Sequence, residues 1–222
     1  MTIVRASVIR ILLALGVGLA TMGLAPQVAL ADTANASAQL GPQELVQNVA
    51  QELLQDLDAH REQLRKDPAQ MRRLVDQHLL PHFDTEYAAR LVLAKHWREA
   101  TPEQRKKFVD AFYQSLIQNY GSALLDFSAD RLSVLPYKGD PSDQNATVRT
   151  TIKRNDGSTV PVNYSLHKTP DGWKAWDVTI EGVSYVRSFR SDFGTEIDQK
   201  GLDEVINRLQ THPEAPPAAK SG

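Results

Sequence analysis

The sequence predicts an α+β fold, with a curved antiparallel sheet of about four strands packed against helices. Three observations predict it. Apolar residues recur at helical spacing from Leu45 to Tyr120. The period drops from 3.6 to 2 after Phe127. Helical spacing returns after Ser184.

The first helix is read from Leu45, Val49, Leu53 and Leu57, with Val46 and Leu54 beside them and Pro42 at its first position. Asp67, Pro68 and Gln70 supply an N-cap, a first-turn proline and a capping-box partner for a second helix. That helix carries Met71, Leu74, Val75 and Leu79, and Pro81 ends it. Asp84 caps a third helix through Tyr87, Ala88, Leu91 and Val92. Thr101-Pro102-Glu103-Gln104 repeats the capping signal before a long helix with Phe108, Val109, Phe112, Leu116, Ile117 and Tyr120 along one side.

The strand half follows. Leu132 to Tyr137 is a candidate strand. Ala146, Val148, Thr150 and Ile152 then alternate with polar neighbours up to Asn155-Asp156-Gly157, a hairpin signal. Val160, Val162, Tyr164 and Leu166 form the return strand, and Thr169-Pro170-Asp171-Gly172 a second turn. The next strand runs from Trp173 to Glu181, with Trp176, Val178 and Ile180 expected on one face. Such a meander has one wet and one buried face, and the helices must cover the buried one. Val186, Phe189, Phe193 and Ile197 then mark a helix that stops at Gly201, and Leu202, Val205, Ile206 and Leu209 a last short one.

The N-terminus carries an export signal. Arg5 and Arg10 precede an apolar run from Ile11 to Ala25, and Ala29-Leu30-Ala31 is a small-x-small cleavage site. Residues 1–31 are therefore read as a cleavable signal peptide and 32–41 as a flexible linker. Residues 42–210 are read as a single domain, and 211–222, rich in proline and alanine, as a disordered tail. Localisation in the periplasm is the expectation. The apolar run is too short for a spanning helix. With 0 cysteines there is no lipoprotein acylation site, no disulfide, no thiolate metal site and no cysteine nucleophile. Without Arg5 and Arg10 the chain has 23 basic and 27 acidic residues, a surface that does not attract nucleic acid or anionic membrane.

Catalytic patterns are scarce. Gly182-Val183-Ser184-Tyr185-Val186 lacks the second glycine of a nucleophile elbow and follows an antiparallel strand, so Ser184 is read as a helix cap. His78 and His82 stand four apart, but Pro81 between them breaks the helical geometry that a metal pair needs. No metal, cofactor or catalytic residue is expected. Tyr164, His167 and Asp177 lie on strands and leave one alternative, a cone-shaped small-ligand binder or enzyme of the cell envelope. Tyr164 and His167 have opposite parity and should face opposite sides of the sheet.

Several strings read together carry a resemblance. They are Leu80-Pro81-His82-Phe83-Asp84, Ala89-Arg90-Leu91-Val92-Leu93 and Trp97-Arg98, then Glu103-Gln104-Arg105, Ala111-Phe112 and Tyr120. Gly172-Trp173-Lys174, Asp177-Val178 and Ile180-Glu181-Gly182-Val183-Ser184 follow, then Phe189-Arg190-Ser191 and Phe193. Their order resembles the MlaC or toluene-tolerance family of periplasmic phospholipid-binding proteins, from about Gln43 to Leu209. There are departures: Ala94 stands where the family usually has glycine, and Tyr185 and Ser188-Phe189 replace leucine and asparagine-tyrosine.

The resemblance implies a nuclear-transport-factor-2-like unit merged with a helical subdomain around an apolar cavity. It implies a non-enzymatic monomer whose cargo is phospholipid. Its partners would be an outer-membrane lipoprotein–porin complex (MlaA-like) and an inner-membrane ABC transporter complex (MlaFEDB-like), and its role the upkeep of outer-membrane lipid asymmetry. On inferred inward faces, the expected cavity residues are Phe112, Leu116, Tyr120, Val148, Ile152, Val162, Tyr164, Leu166, Trp176, Val178 and Phe189. Arg90, Arg98, Arg187 and Arg190 are the expected head-group rim, because guanidinium matches phosphate bidentately.

Overall fold

A computed structural model describes residues 40–212, apart from Phe127, Pro141 and Asn155. The signal-peptide reading of residues 1–31, most of the linker, Asn155 of the hairpin signal and nearly all of the tail lie outside the described residues.

Helix α1 spans Pro42–Leu64. The Gly41 amide donates to Glu44 Oε2 at 3.1 Å where the helix starts. Helix α2, Pro68–His78, is capped by Asp67, whose carboxylate accepts from the Ala69 and Gln70 amides. Pro81 leaves only a 3₁₀ turn, Leu80–His82, after it. Asp84 accepts from the Tyr87 amide at the head of α3, Thr85–Leu93. A short α4, Lys95–Glu99, was not foreseen. The reciprocal Thr101–Gln104 capping box then opens α5, Pro102–Tyr120.

The sheet has five antiparallel strands in sequential order. They are β1 Leu132–Val134, β2 Asn145–Lys153, β3 Thr159–Thr169, β4 Gly172–Ile180 and β5 Val183–Ser184. Strand β1 is shorter than expected. The ladder ends near Pro136, which has no N–H to donate, with a last bond from the Leu135 amide to Arg149 O. Strand β5 is additional. A two-residue loop, Glu181-Gly182, joins it to β4 with positive φ at both positions, the backbone pattern of a primed hairpin turn.

Strand β4 carries a bulge. Ser165 pairs with Asp177 but Leu166 with Ala175, so Trp176 has no partner on β3. Trp176 is the extra residue of the bulge, where a strand bends and twists more strongly. Helices α6, Tyr185–Lys200, and α7, Leu202–Thr211, are the last elements of the described residues. The structure's Thr211 closes α7, so the predicted tail starts one residue inside a helix.

The buried apolar residues form four separate clusters. The largest joins α3, α5, α6 and α7 around Phe108, Phe112, Phe189 and Phe193. A second joins α1 and α2 through Leu53, Leu57, Met71 and Val75. A third packs Leu45 and Val46 of α1 onto Ala146, Val148, Leu166 and Trp173. The fourth is Ile152, Val160 and Val162 on the sheet. A domain of this size ordinarily has one contiguous core.

Candidate functional site

A cavity of about 470 Å³ lies where the four clusters would otherwise meet. Each cluster gives it a wall. Helix α1 contributes Leu45, Val49, Leu53 and Leu57, and α5 contributes Phe112, Leu116 and Tyr120. The sheet contributes Ile152 from β2, Val162, Tyr164 and Leu166 from β3, and Trp176, Val178 and Ile180 from β4. Val186 and Phe189 enter from the first turns of α6. The period of 2 explains the sheet wall, since Val162, Tyr164 and Leu166 fall on one side of β3. Their counterparts on the other face of the sheet, Thr147, Arg149 and Lys153, are exposed.

Ten of the eleven sequence-derived cavity residues thus border one space. Val148 does not. It is fully buried under the first turns of α1, packed with Leu45, Val46, Leu166 and Trp173. The four arginines are not brought to the wall either. Arg90, Arg98, Arg187 and Arg190 are exposed, on helix faces opposite the buried stripes of α3 and α6 or on short α4. The Arg90 guanidinium lies 4.8 Å from the centre of the Tyr87 ring, which in turn lies tilted against His167 and meets Trp176 edge-on.

The α1 wall was missed by sequence reasoning. Its stripe was legible as amphipathic, but nothing in the spacing says whether it faces packed side chains or a void. The available signal was its width, since Val46, Ala50 and Leu54 extend the apolar face beyond one ridge.

Few polar groups reach the cavity. Among the described lining residues there is no lysine or arginine. His82 is half-buried, and desolvation holds its imidazole below the ordinary value of 6.5, with Lys174 and His78 acting the same way and Glu52 opposing. The Tyr113 hydroxyl donates to Asp76, and burial together with that bond pushes the phenol up. Asp177 is occupied: its carboxylate accepts from Ser184 Oγ at 2.6 Å and from the Val186 amide at 3.0 Å. Ser184 Oγ accepts in turn from the Arg187 amide, so Ser184 and Asp177 together cap α6. His167 pairs with Asp84 at 3.0 Å and does not line the cavity. Tyr164, His167 and Asp177 therefore form no acid/base group. His78 meets Asp56 at 2.7 Å, and His82 lies apart on the 3₁₀ turn.

Comparison with known proteins decides the family. The family model described as MlaC protein matches residues 47–211. The chain belongs to the MlaC family. Among MlaC relatives, the toluene tolerance protein ttg2D of Pseudomonas putida is 32% identical over 169 residues, covering 75% of this chain and 78% of that protein. The intermembrane phospholipid transport system binding protein MlaC of Haemophilus influenzae is 28% identical over 182 residues, 80% of this chain and 85% of that one. The fold also matches a phospholipid-binding protein from Ralstonia solanacearum solved in complex with a phospholipid. The TM-score is 0.73 at 24% identity, covering 78% of this chain and 97% of the other.

Proposed function

We propose that this MlaC-family chain is a periplasmic phospholipid carrier, exported through its N-terminal signal peptide. It shuttles lipid between an outer-membrane MlaA-like lipoprotein–porin complex and an inner-membrane MlaFEDB-like ABC transporter, and so maintains outer-membrane lipid asymmetry. It is not an enzyme, and the phospholipid is cargo. The observation that carries this reading is a cavity walled by apolar side chains from every core cluster, with its one carboxylate already bonded.

The energetics favour such a carrier. A diacyl lipid has on the order of 30 methylenes, each costing about 0.8 kcal/mol in water, so free diffusion across an aqueous space is prohibitive. A protein that buries the tails removes that barrier and needs no acid/base machinery. Among the described residues no helix is long and apolar enough to cross a membrane.

The test is the lipid content of gently purified protein, read by native mass spectrometry and by extraction. About one phospholipid per chain is expected. Consistently empty protein that takes nothing from phospholipid vesicles would refute the reading. Val178→Glu places a carboxylate on the cavity wall and is expected to abolish loading while circular dichroism stays unchanged. Normal loading of that variant would remove the cavity from the account.

A further inference from the structure

Two polar side chains of the cavity wall are left unexplained: Trp176, whose Nε1 is buried without a partner, and Tyr164, whose hydroxyl is the one open to the void. Tyr164 lies mid-way along β3, between Val148 of β2 and Val178 of β4, on the inward side with Val162 and Leu166. Protein encloses the ring, and this burial pushes the phenol up. The ring still borders the void. Among the described residues its hydroxyl has no hydrogen-bond partner, and its oxygen is open to the cavity rather than sealed in packing. Tyr113, another cavity-lining phenol that burial pushes up, donates to Asp76. Tyrosine hydroxyls normally find a partner when buried, and once apolar cargo excludes water from the void an unpaired one costs more than an ordinary hydrogen bond returns. Phenylalanine would fill the same space without that cost. In the filled cavity the hydroxyl therefore requires an acceptor that the occupant brings.

If the cargo is a phospholipid, as proposed above, it has two kinds of acceptor. A phosphate carries charge, and burying it unpaired is costly. No lysine or arginine lines the wall to pair with it. An ester carbonyl is neutral, sits beside the first methylenes of a tail, and is satisfied by a single O–H donor. We propose that Tyr164 is a specificity-determining residue that donates its hydroxyl proton to an acyl-ester carbonyl of the cargo, so that the cavity prefers ester-linked to ether-linked lipids.

The experiment compares two phospholipids with identical head groups and chain lengths, one diacyl ester and one dialkyl ether. Each is titrated into delipidated wild-type protein and into Tyr164→Phe. Wild type is expected to bind the ester about three- to tenfold more tightly, the range of one hydrogen bond. Tyr164→Phe is expected to lose that preference by weakening the ester complex alone. Equal weakening of both lipids, or an unchanged preference, overturns the assignment. The lipid-free variant should unfold at the same denaturant concentration or higher. A clear loss of stability would reveal a protein partner for the hydroxyl and also overturn it. Failure of wild type to bind either lipid would instead defeat the carrier reading, and this inference with it.

Discussion

Two regions of this molecule use similar amphipathic material to opposite ends. In the helical cluster, Phe108, Phe112, Phe189 and Phe193 meet ring to ring at centroid distances from 5.1 to 5.9 Å. Across the molecule the stripe of α1 faces the concave sheet over a void. Phe112 and Phe189 belong to both, filling the core with one side and bordering the cavity with the other. The difference shows that an apolar stripe prescribes burial but not by what. Large-to-small changes should separate the two regions. Phe193→Ala opens a new hole in close packing and should cost about 3–5 kcal/mol in urea unfolding. Leu116→Ala, made on lipid-free protein, enlarges a hole that already exists. It should cost about 1–2 kcal/mol, close to the transfer term alone. Loading with cargo should raise the cost at Leu116 and leave that at Phe193 unchanged. Equal costs in the empty protein would mean that the two regions are packed alike.

The packed side also stores backbone strain. Ala94 joins α3 to α4 at φ 49° and ψ −110°, a conformation that a Cβ disfavours. Its neighbours fix it there: Leu93 and Val92 are fully buried in the helical cluster, and His96 is buried two residues on. Relieving such strain gains about 1–3 kcal/mol, partly offset by the extra chain freedom that glycine brings to the unfolded state. Ala94→Gly should therefore stabilise the protein by about 1 kcal/mol, seen as a higher urea midpoint at constant slope. No gain would mean that the filled region does not over-determine its own connections.

What could be read from the sequence follows the same division. Caps, periods and proline stops are local, and Asp67, Asp84, Thr101 and Ser184 sit where their patterns placed them. The inward side of β3 was legible because a period of 2 leaves no choice once one face is buried. The bulge at Trp176 leaves no compositional mark and was not foreseen, although Trp176 still borders the cavity with Val178 and Ile180 as its parity implied. The Glu181-Gly182 turn escaped because glutamate is an unusual residue at positive φ. Val148 and the α1 wall were beyond reach for a common reason. Whether an inward residue meets a neighbour or a void depends on where α1 lies across the sheet, and that is set by tertiary packing. The arginines lie off the cavity wall for a different reason. Chemistry that suits a phosphate does not say which face of a helix the group occupies, and the buried stripes of α3 and α6 point Arg90, Arg187 and Arg190 away from the interior.

The smallest expected effect lies on the open side, at His82. Burial lowers its pKa from 6.5, Glu52 of α1 opposes this, and the charges of Lys174 of β4 and His78 of α2 act with it. Between the lowered folded value and 6.5 the unfolded chain binds the proton more readily than the native protein. Stability from this site is thus complete above 6.5 and lost as pH falls through that window. His82→Gln should flatten the dependence of unfolding free energy on pH below 6.5, the loss being modest because the side chain is only half-buried. The imidazole resonances followed by NMR should titrate below 6.5 in empty protein. Apolar cargo against His82 would remove more water and lower the value further. An unchanged His82 titration on loading would place the cargo elsewhere in the cavity.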